Sequence, residues 1–265
     1  MTDEQKTQLP GELKLPSAEE LLAAGVHFGH KTSRWHPKME QFIFADKTSI
    51  HIFDLEKTSK NLAEALNFMK GILAKGGIIV FIGTKPISKK YIKDTAQNLG
   101  MPYATERWLG GTLTNFKTIT KRLQYYKDLT EQQASGGWDK YIKKERVQLQ
   151  KKLTKLQGQL EGIKNLARLP DALFVAHVKT DILAVREAKK TKIPVIAICD
   201  TNVDPSLIDY VIPANDDASS SIKILMETIV SNLKDIKPNP SVALAEKNMP
   251  GSENSTVPNK KGSNL

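Results

Sequence analysis

The sequence predicts an α/β fold: a mostly parallel sheet with helices on both faces, interrupted by an inserted antiparallel coiled-coil hairpin. Three observations predict it. Short, continuous, β-branched apolar runs at 77–82, 172–176 and 194–199 have the character of strands buried on both faces. Helix-patterned segments alternate with them. Between 116 and 168 the alternation stops, and apolar residues fall at heptad spacing instead.

In chain order, residues 1–16 are polar and mixed in charge and read as a flexible arm, with no secretory signal pattern. Ser17 can cap a short helix to Ala24, with Glu20 completing a capping box and Gly25 ending it. Residues 41–44 and 50–53 read as short strands. A helix over 56–74 places Leu62, Ala65, Leu66 and Met69 on one face. The run at 77–82 is closed by Gly83 and followed by a helix over 87–99, and residues 100–103 lead into another short strand. Beyond 168 come a strand at 172–176, a helix at 181–190, strands at 194–199 and 210–212, and a helix at 217–233. Residues 237–265, rich in Pro, Ser, Asn and Gly, read as a disordered tail. The expected organisation is one α/β domain, residues 17–115 and 169–236, with the hairpin inserted at 116–168.

The insertion is the most distinctive segment. Leu149, Leu153, Leu156, Leu160 and Ile163 repeat at four- and three-residue steps, as do Ile119, Leu123 and Tyr126. Ser135-Gly136-Gly137 between them is a turn signal. A helix of about 27 residues would extend roughly 40 Å. The chain carries a net charge of +10, of which +8 lies within 116–168. Solvated helix faces normally interleave both signs, so this excess points to a polyanionic partner.

The single cysteine, Cys199, excludes an internal disulfide and a Cys-rich zinc site. No apolar run approaches the roughly 20 residues needed to span a bilayer. The expectation is a soluble, cytoplasmic protein with no membrane partner.

Four places could carry chemistry. Gly83-Thr84-Lys85 joins a buried strand to a helix, where free amides can face an anion. P-loop and dinucleotide spacings are absent, and Pro86 alone explains a helix start. Lys85 there is a candidate RNA phosphate contact. His27-Phe28-Gly29-His30 precedes Lys31, Arg34, Trp35, His36 and Lys38. His27 and His30 could bind a metal with His177, Asp200 and Asp204, could brace a loop, or could belong to a basic aromatic surface whose Lys31, Arg34 and Lys38 lie on RNA. Asp200-Thr201-Asn202-Val203-Asp204-Pro205 follows a buried strand, at the edge where open α/β sheets bind ligands. Its carboxylates suit acid–base, metal or turn roles, and Asn215-Asp216-Asp217-Ala218 reads as a cap for the last helix. Finally, Arg107-Trp108-Leu109-Gly110-Gly111-Thr112-Leu113-Thr114-Asn115 is a glycine-rich turn opening the insertion. Trp108 is expected to pack, Arg107 to contact RNA, and Asn115 to start a helix. On the hairpin, Lys117, Lys121, Arg122, Lys143, Lys144, Lys151 and Lys152 are the candidate phosphate contacts. No nucleophile–base set is apparent.

These residues resemble the bacterial-type ribosomal protein S2 family. The matching segments include Ala24–His30, Pro37-Lys38-Met39, residues 50–58 and 80–85, the whole of 107–115, Gly162-Ile163, residues 169–175 and 193–198, Asp200-Thr201-Asn202, Asp204-Pro205 and residues 212–218. They run in order from about 18 to 235. The resemblance implies a flavodoxin-like (Rossmann-like) sheet with a protruding helical hairpin, and binding to small-subunit ribosomal RNA and neighbouring ribosomal proteins. In many bacteria it also implies recruitment of ribosomal protein S1, and it implies no catalysis and no small-molecule substrate. The family usually has an acidic residue after the strand at 172–176, where this chain has His177. Some members hold a metal with that acidic position and the Asp200/Asp204 turn, so a single zinc or other divalent ion is the only cofactor in question. An organellar ribosome stays open, although no transit peptide is seen. The competing functional reading is a nucleotide-binding α/β enzyme using Lys85, Asp200 and Asp204.

Overall fold

The computed structural model describes residues 13–236. After a short helix α1 (Ala18–Ala23), strands β1 (Phe28–Lys31), β2 (Ile43–Lys47) and β3 (Ile50–Phe53) form a small antiparallel sheet in the order β1-β3-β2. The main sheet contains β4 (Ile79–Ile82), β5 (Tyr103–Ala104), β6 (Ala172–Val175), β7 (Val195–Cys199) and β8 (Tyr210–Pro213). All are parallel, in the order β5-β4-β6-β7-β8. Counted within this sheet alone, that is the 2-1-3-4-5 order of flavodoxin-like folds.

Period-two alternation sends the strand side chains to two separate cores. Ile79, Phe81, Phe174, Ile196 and Ile198 point to one face, where α2 (Leu55–Ala74), α3 (Pro86–Asn98) and α7 (Ser219–Leu233) bury Leu62, Leu66, Met69, Ile92, Ile222 and Ile229. Val80, Ile82, Leu173, Val175, Val195 and Ala197 point to the other, where α6 (Ile182–Thr191) contributes Ala184, Val185 and Ala188. The remaining helices, α4 (Phe116–Ala134) and α5 (Lys143–Leu160), pair as a hairpin. Contacts of Gln133 with Gln150 and of Tyr126 with Glu161 run in opposite directions along the two helices, so the pair is antiparallel.

Local signals account for the helix ends. Ser17 accepts from the Glu20 amide at 3.2 Å while its own amide donates to the Glu20 side chain at 2.8 Å, the expected capping box. Asp54 caps α2 through the amides of Glu56 and Lys57, and Pro86 opens α3.

Several expectations change. Residues 28–31 form strand β1, which shows no alternation and depends on β3 for its hydrogen bonds. The hairpin helices are 19 and 18 residues long, about 28 Å, shorter than the expected 27 residues. Trp138 is buried between them in sequence, and residues Glu161–Ile163 tighten into a 3-10 turn. The seam formed by Ile119, Leu123, Tyr126, Leu153 and Leu160 runs without a break into the core beneath α6, so the hairpin base belongs to the body's packing. α7 starts at Ser219 because the Asn215 side chain holds the amides of Asp217 and Ala218. Residues 13–16 are docked: the Lys14 backbone makes two hydrogen bonds with the Asn232 side chain. The rest of the expected arm, 1–12, and the tail, 237–265, lie outside the described residues.

Candidate functional site

The carboxyl ends of the parallel strands converge, as an open sheet of this order requires. β4 delivers Thr84 and Lys85, β6 delivers His177, β7 delivers Asp200 and Thr201, and the segment after β8 delivers Asp216 and Asp217. His30 arrives from the small sheet. Gly29 makes its approach possible, since a Cβ there would lie 2.6 Å from the Thr201 methyl. The His30 amide donates to Thr201 Oγ1 at 2.9 Å and locks the two sheets together.

His30 bridges two carboxylates. Its Nδ1 is 3.0 Å from Asp200 Oδ1 and its Nε2 is 3.4 Å from Asp217 Oδ2. The hydrogen bond to Asp200 holds the imidazole above its ordinary pKa against the effect of burial, helped by the charges of Asp200, Asp217 and Asp216. Burial would raise the Asp217 carboxyl, but the bond and charge of Lys85, with His30, bring it below the usual range. Buried His177 sits 3.2 Å from buried Asp216 without hydrogen-bond alignment, and neither ring nitrogen has a hydrogen-bond partner. Among the described residues, the ligand atoms of His30, Asp216 and Asp217 all lie within 4.8 Å of one another, close enough to share a cation.

The expected metal set is therefore only partly assembled. His30, His177 and Asp200 come to one edge. His27 turns away and lies against Phe28, ring centroids 3.9 Å apart, where burial lowers its pKa. Asp204 sits elsewhere, accepting from the Ser206 amide at 3.0 Å and facing Lys38 at 3.3 Å. The Ser206 bonds and Lys38 hold its carboxyl low. Asp216 and Asp217, which the sequence presents as a helix cap, take the vacant places. Their signal was positional: they follow the next strand of a parallel sheet, at the same edge.

The donors that a nucleotide would use are already engaged. Asp181 accepts from the Thr84 amide at 3.2 Å and its hydroxyl at 2.8 Å, so a carboxylate of this chain takes the donors of the residue that precedes the α3 cap. Lys85 is paired with Asp217, and Asp200 accepts from Thr201 and the Asp216 amide.

The 107–115 loop is held from α6. Trp108 is buried, as expected, and its indole donates to Glu187. The amides of Gly111, Leu113 and Thr114 and the Thr114 hydroxyl reach the same carboxylate. Arg107 is exposed. The Asn115 side chain, at the cap position of α4, bonds none of its amides and instead accepts from the Thr118 hydroxyl, while its backbone carbonyl accepts from the Thr118 and Ile119 amides.

The basic residues are dispersed around this frame. Lys31, Arg34 and Lys38 are exposed near the small sheet, with Lys38 tied to Asp204 and Ser206. Lys117, Lys121, Arg122, Lys143, Lys144, Lys151 and Lys152 are all exposed on the hairpin, and among the described residues none forms an ion pair. Lys152 lies 4.5 Å from the centroid of the Tyr125 ring. At the hairpin base, burial and the bond to Glu161 push the Tyr126 phenol up to about 12.

A family model described as ribosomal protein S2 matches residues 21–235, a span that includes the small sheet, the parallel sheet and the hairpin. The motifs, the sheet order and this match agree: the chain belongs to the ribosomal protein S2 family.

Proposed function

We propose that this structural protein of the small ribosomal subunit binds small-subunit ribosomal RNA through the exposed cations of the α4–α5 hairpin, treated as a coiled-coil insertion at 116–168 in a single α/β domain. The observation that carries the reading is the +8 charge of that segment, displayed on two helices that meet through a seam in which Ile119, Leu123, Tyr126, Leu153 and Leu160 are buried. Lysines and arginines of this kind position a protein on phosphates and do not read bases. Lys31, Arg34 and Arg107 form a second contact set around the body, which Lys38 and Lys85 join only by leaving Asp204 and Asp217. Neighbouring small-subunit proteins, ribosomal protein S1 among them, complete the partners. The role is structural, on the ribosome in the cytoplasm, with no catalytic step. Among the described residues no helix is long and apolar enough to cross a membrane. Sedimentation tests the reading: the protein should travel with small-subunit particles at moderate salt and leave them progressively as salt rises. Failure to associate at any salt would reject it.

A divalent cation also fits the sheet edge, held by His30, Asp216 and Asp217. What favours it is the neighbouring His177, buried with both ring nitrogens unpartnered beside Asp216. Calorimetric titration with zinc should show one equivalent binding, weakened at least about ten-fold by His30→Ala through loss of a ligand. Equal affinity in the variant, or no heat at all, would remove the site. The nucleotide-dependent alternative receives no such support, because Asp181 and Asp217 already engage Thr84 and Lys85.

A further inference from the structure

We propose that Glu187 is a positioning residue: its buried carboxylate fixes the direction in which α4 leaves the sheet, and RNA binding through the hairpin depends on it. The second half of this proposal rests on the RNA-binding reading above.

Glu187 is 6% exposed and projects from α6, a helix fixed on the sheet by the fully buried Ala184, Val185 and Ala188. Its carboxylate gathers five hydrogen bonds from one short loop. Oε1 accepts from the Gly111 amide at 2.8 Å and the Trp108 indole at 3.3 Å. Oε2 accepts from the Leu113 amide at 3.0 Å, the Thr114 amide at 3.3 Å and the Thr114 hydroxyl at 3.3 Å. Among the described residues Glu187 forms no ion pair with any Lys, Arg or His, so loop dipoles carry the whole task of solvating it. The loop is shaped for this: Gly111 takes a φ of +89°, which turns successive amides toward one point.

The loop then passes directly into α4. The Asn115 amide donates to the Gly111 carbonyl at 2.8 Å, and the Ile119 amide donates to Asn115. Asn115 contributes no side-chain cap, so the segment immediately before the first turn is set by its attachment to Glu187. Trp108 and Leu113, both buried, hold the loop on either side. A glycine-rich turn that looks built for an external anion is thus filled by a carboxylate of its own chain, and that contact sets where α4 starts, upstream of the apolar seam that joins the hairpin base to the core.

Glu187→Gln separates positioning from electrostatics. The amide preserves size, but its NH2 must face either the Gly111 and Trp108 donors or the Leu113 and Thr114 donors, which displaces the loop. The substitution also adds one positive unit to the protein, so on charge alone RNA affinity would rise. Spin labels on full-length protein at Ser135→Cys, near the hairpin tip, and Lys90→Cys, on α3, report the hairpin direction. Both sites are exposed, and native Cys199 is buried. The expected result is a shifted or broadened label distance together with affinity for protein-free small-subunit ribosomal RNA reduced about ten-fold, the worth of one or two charge-assisted phosphate contacts. Thr114→Val, which removes only the hydroxyl donor, should move both readouts the same way by less, and it carries the test if the Gln variant does not fold. An unchanged distance distribution overturns the positioning role. A shifted distance with unchanged or tighter RNA binding overturns its link to RNA. If wild-type protein does not bind the RNA, the RNA-binding reading and this link fail together, and the label distances alone decide whether Glu187 aims the hairpin.

Discussion

Converting Lys143, Lys144, Lys151 and Lys152 to glutamate is expected to lower affinity for small-subunit ribosomal RNA by about three orders of magnitude near physiological salt, while leaving the fold intact. The change takes the 116–168 segment from +8 to neutrality, since each reversal removes two units. If each lysine neutralises one phosphate, the slope of log affinity against log salt should also fall by about 3 to 4. Stability should change little. All four side chains are exposed, and none forms an ion pair among the described residues. Lys152 alone gives up a contact, with the Tyr125 ring. Binding measured across a salt series, with circular dichroism on the same samples, checks both halves. Undiminished affinity and slope would mean that this face of α5 meets solvent or protein instead.

The second large effect concerns stability. Gly162 lies in the 3-10 turn that seats the hairpin base against edge strand β5. A Cβ there would stand 2.1 Å from the Tyr103 carbonyl oxygen and 2.7 Å from its ring. The carbonyl is backbone, so no rotamer change relieves the overlap, and the turn must move away from the strand. Leu160, Ile163 and Leu166, all buried, would move with it. Gly162→Ala is therefore expected to cost about 3 kcal/mol, at the upper end of overpacking effects. Gly158, four residues earlier in α5, is the control. Its Cβ would meet only Glu106 Cγ at an ordinary 3.9 Å, so Gly158→Ala should stabilise by about 0.5–1 kcal/mol through helix propensity. Urea unfolding curves for the pair should shift in opposite directions. Equal midpoints would show that the turn at Gly162 can yield without cost.

The elements were legible in the sequence where their signals are local. The capping box at Ser17, the run at 195–199 and the 4-3 spacing from Leu149 to Leu160 each state their own secondary structure, because periodicity and caps act within a few residues. Strand β1 was not legible, since Phe28-Gly29-His30-Lys31 has no pattern of its own and exists as a strand through pairing with β3. At the sheet edge, His30, His177 and Asp200 were readable as candidate ligands. The carboxylates that the fold brings beside His30 and His177 are Asp216 and Asp217, which local turn chemistry disguises as a cap, while Asp204 is drawn off by Ser206 and Lys38.

Family, the alternation of the main-sheet strands with their helices, the two-faced packing of that sheet and the basic character of the hairpin can all be read from the residues in order. Which carboxylates share the edge with His30, that Asp181 engages Thr84, and that Glu187 binds the 107–115 loop emerge only once the chain is folded. The reason is physical. Periodicity and charge are properties of neighbouring residues, whereas parallel strands joined by crossovers bring together groups from His30 to Asp217, and only the closed geometry says which donor finds which acceptor.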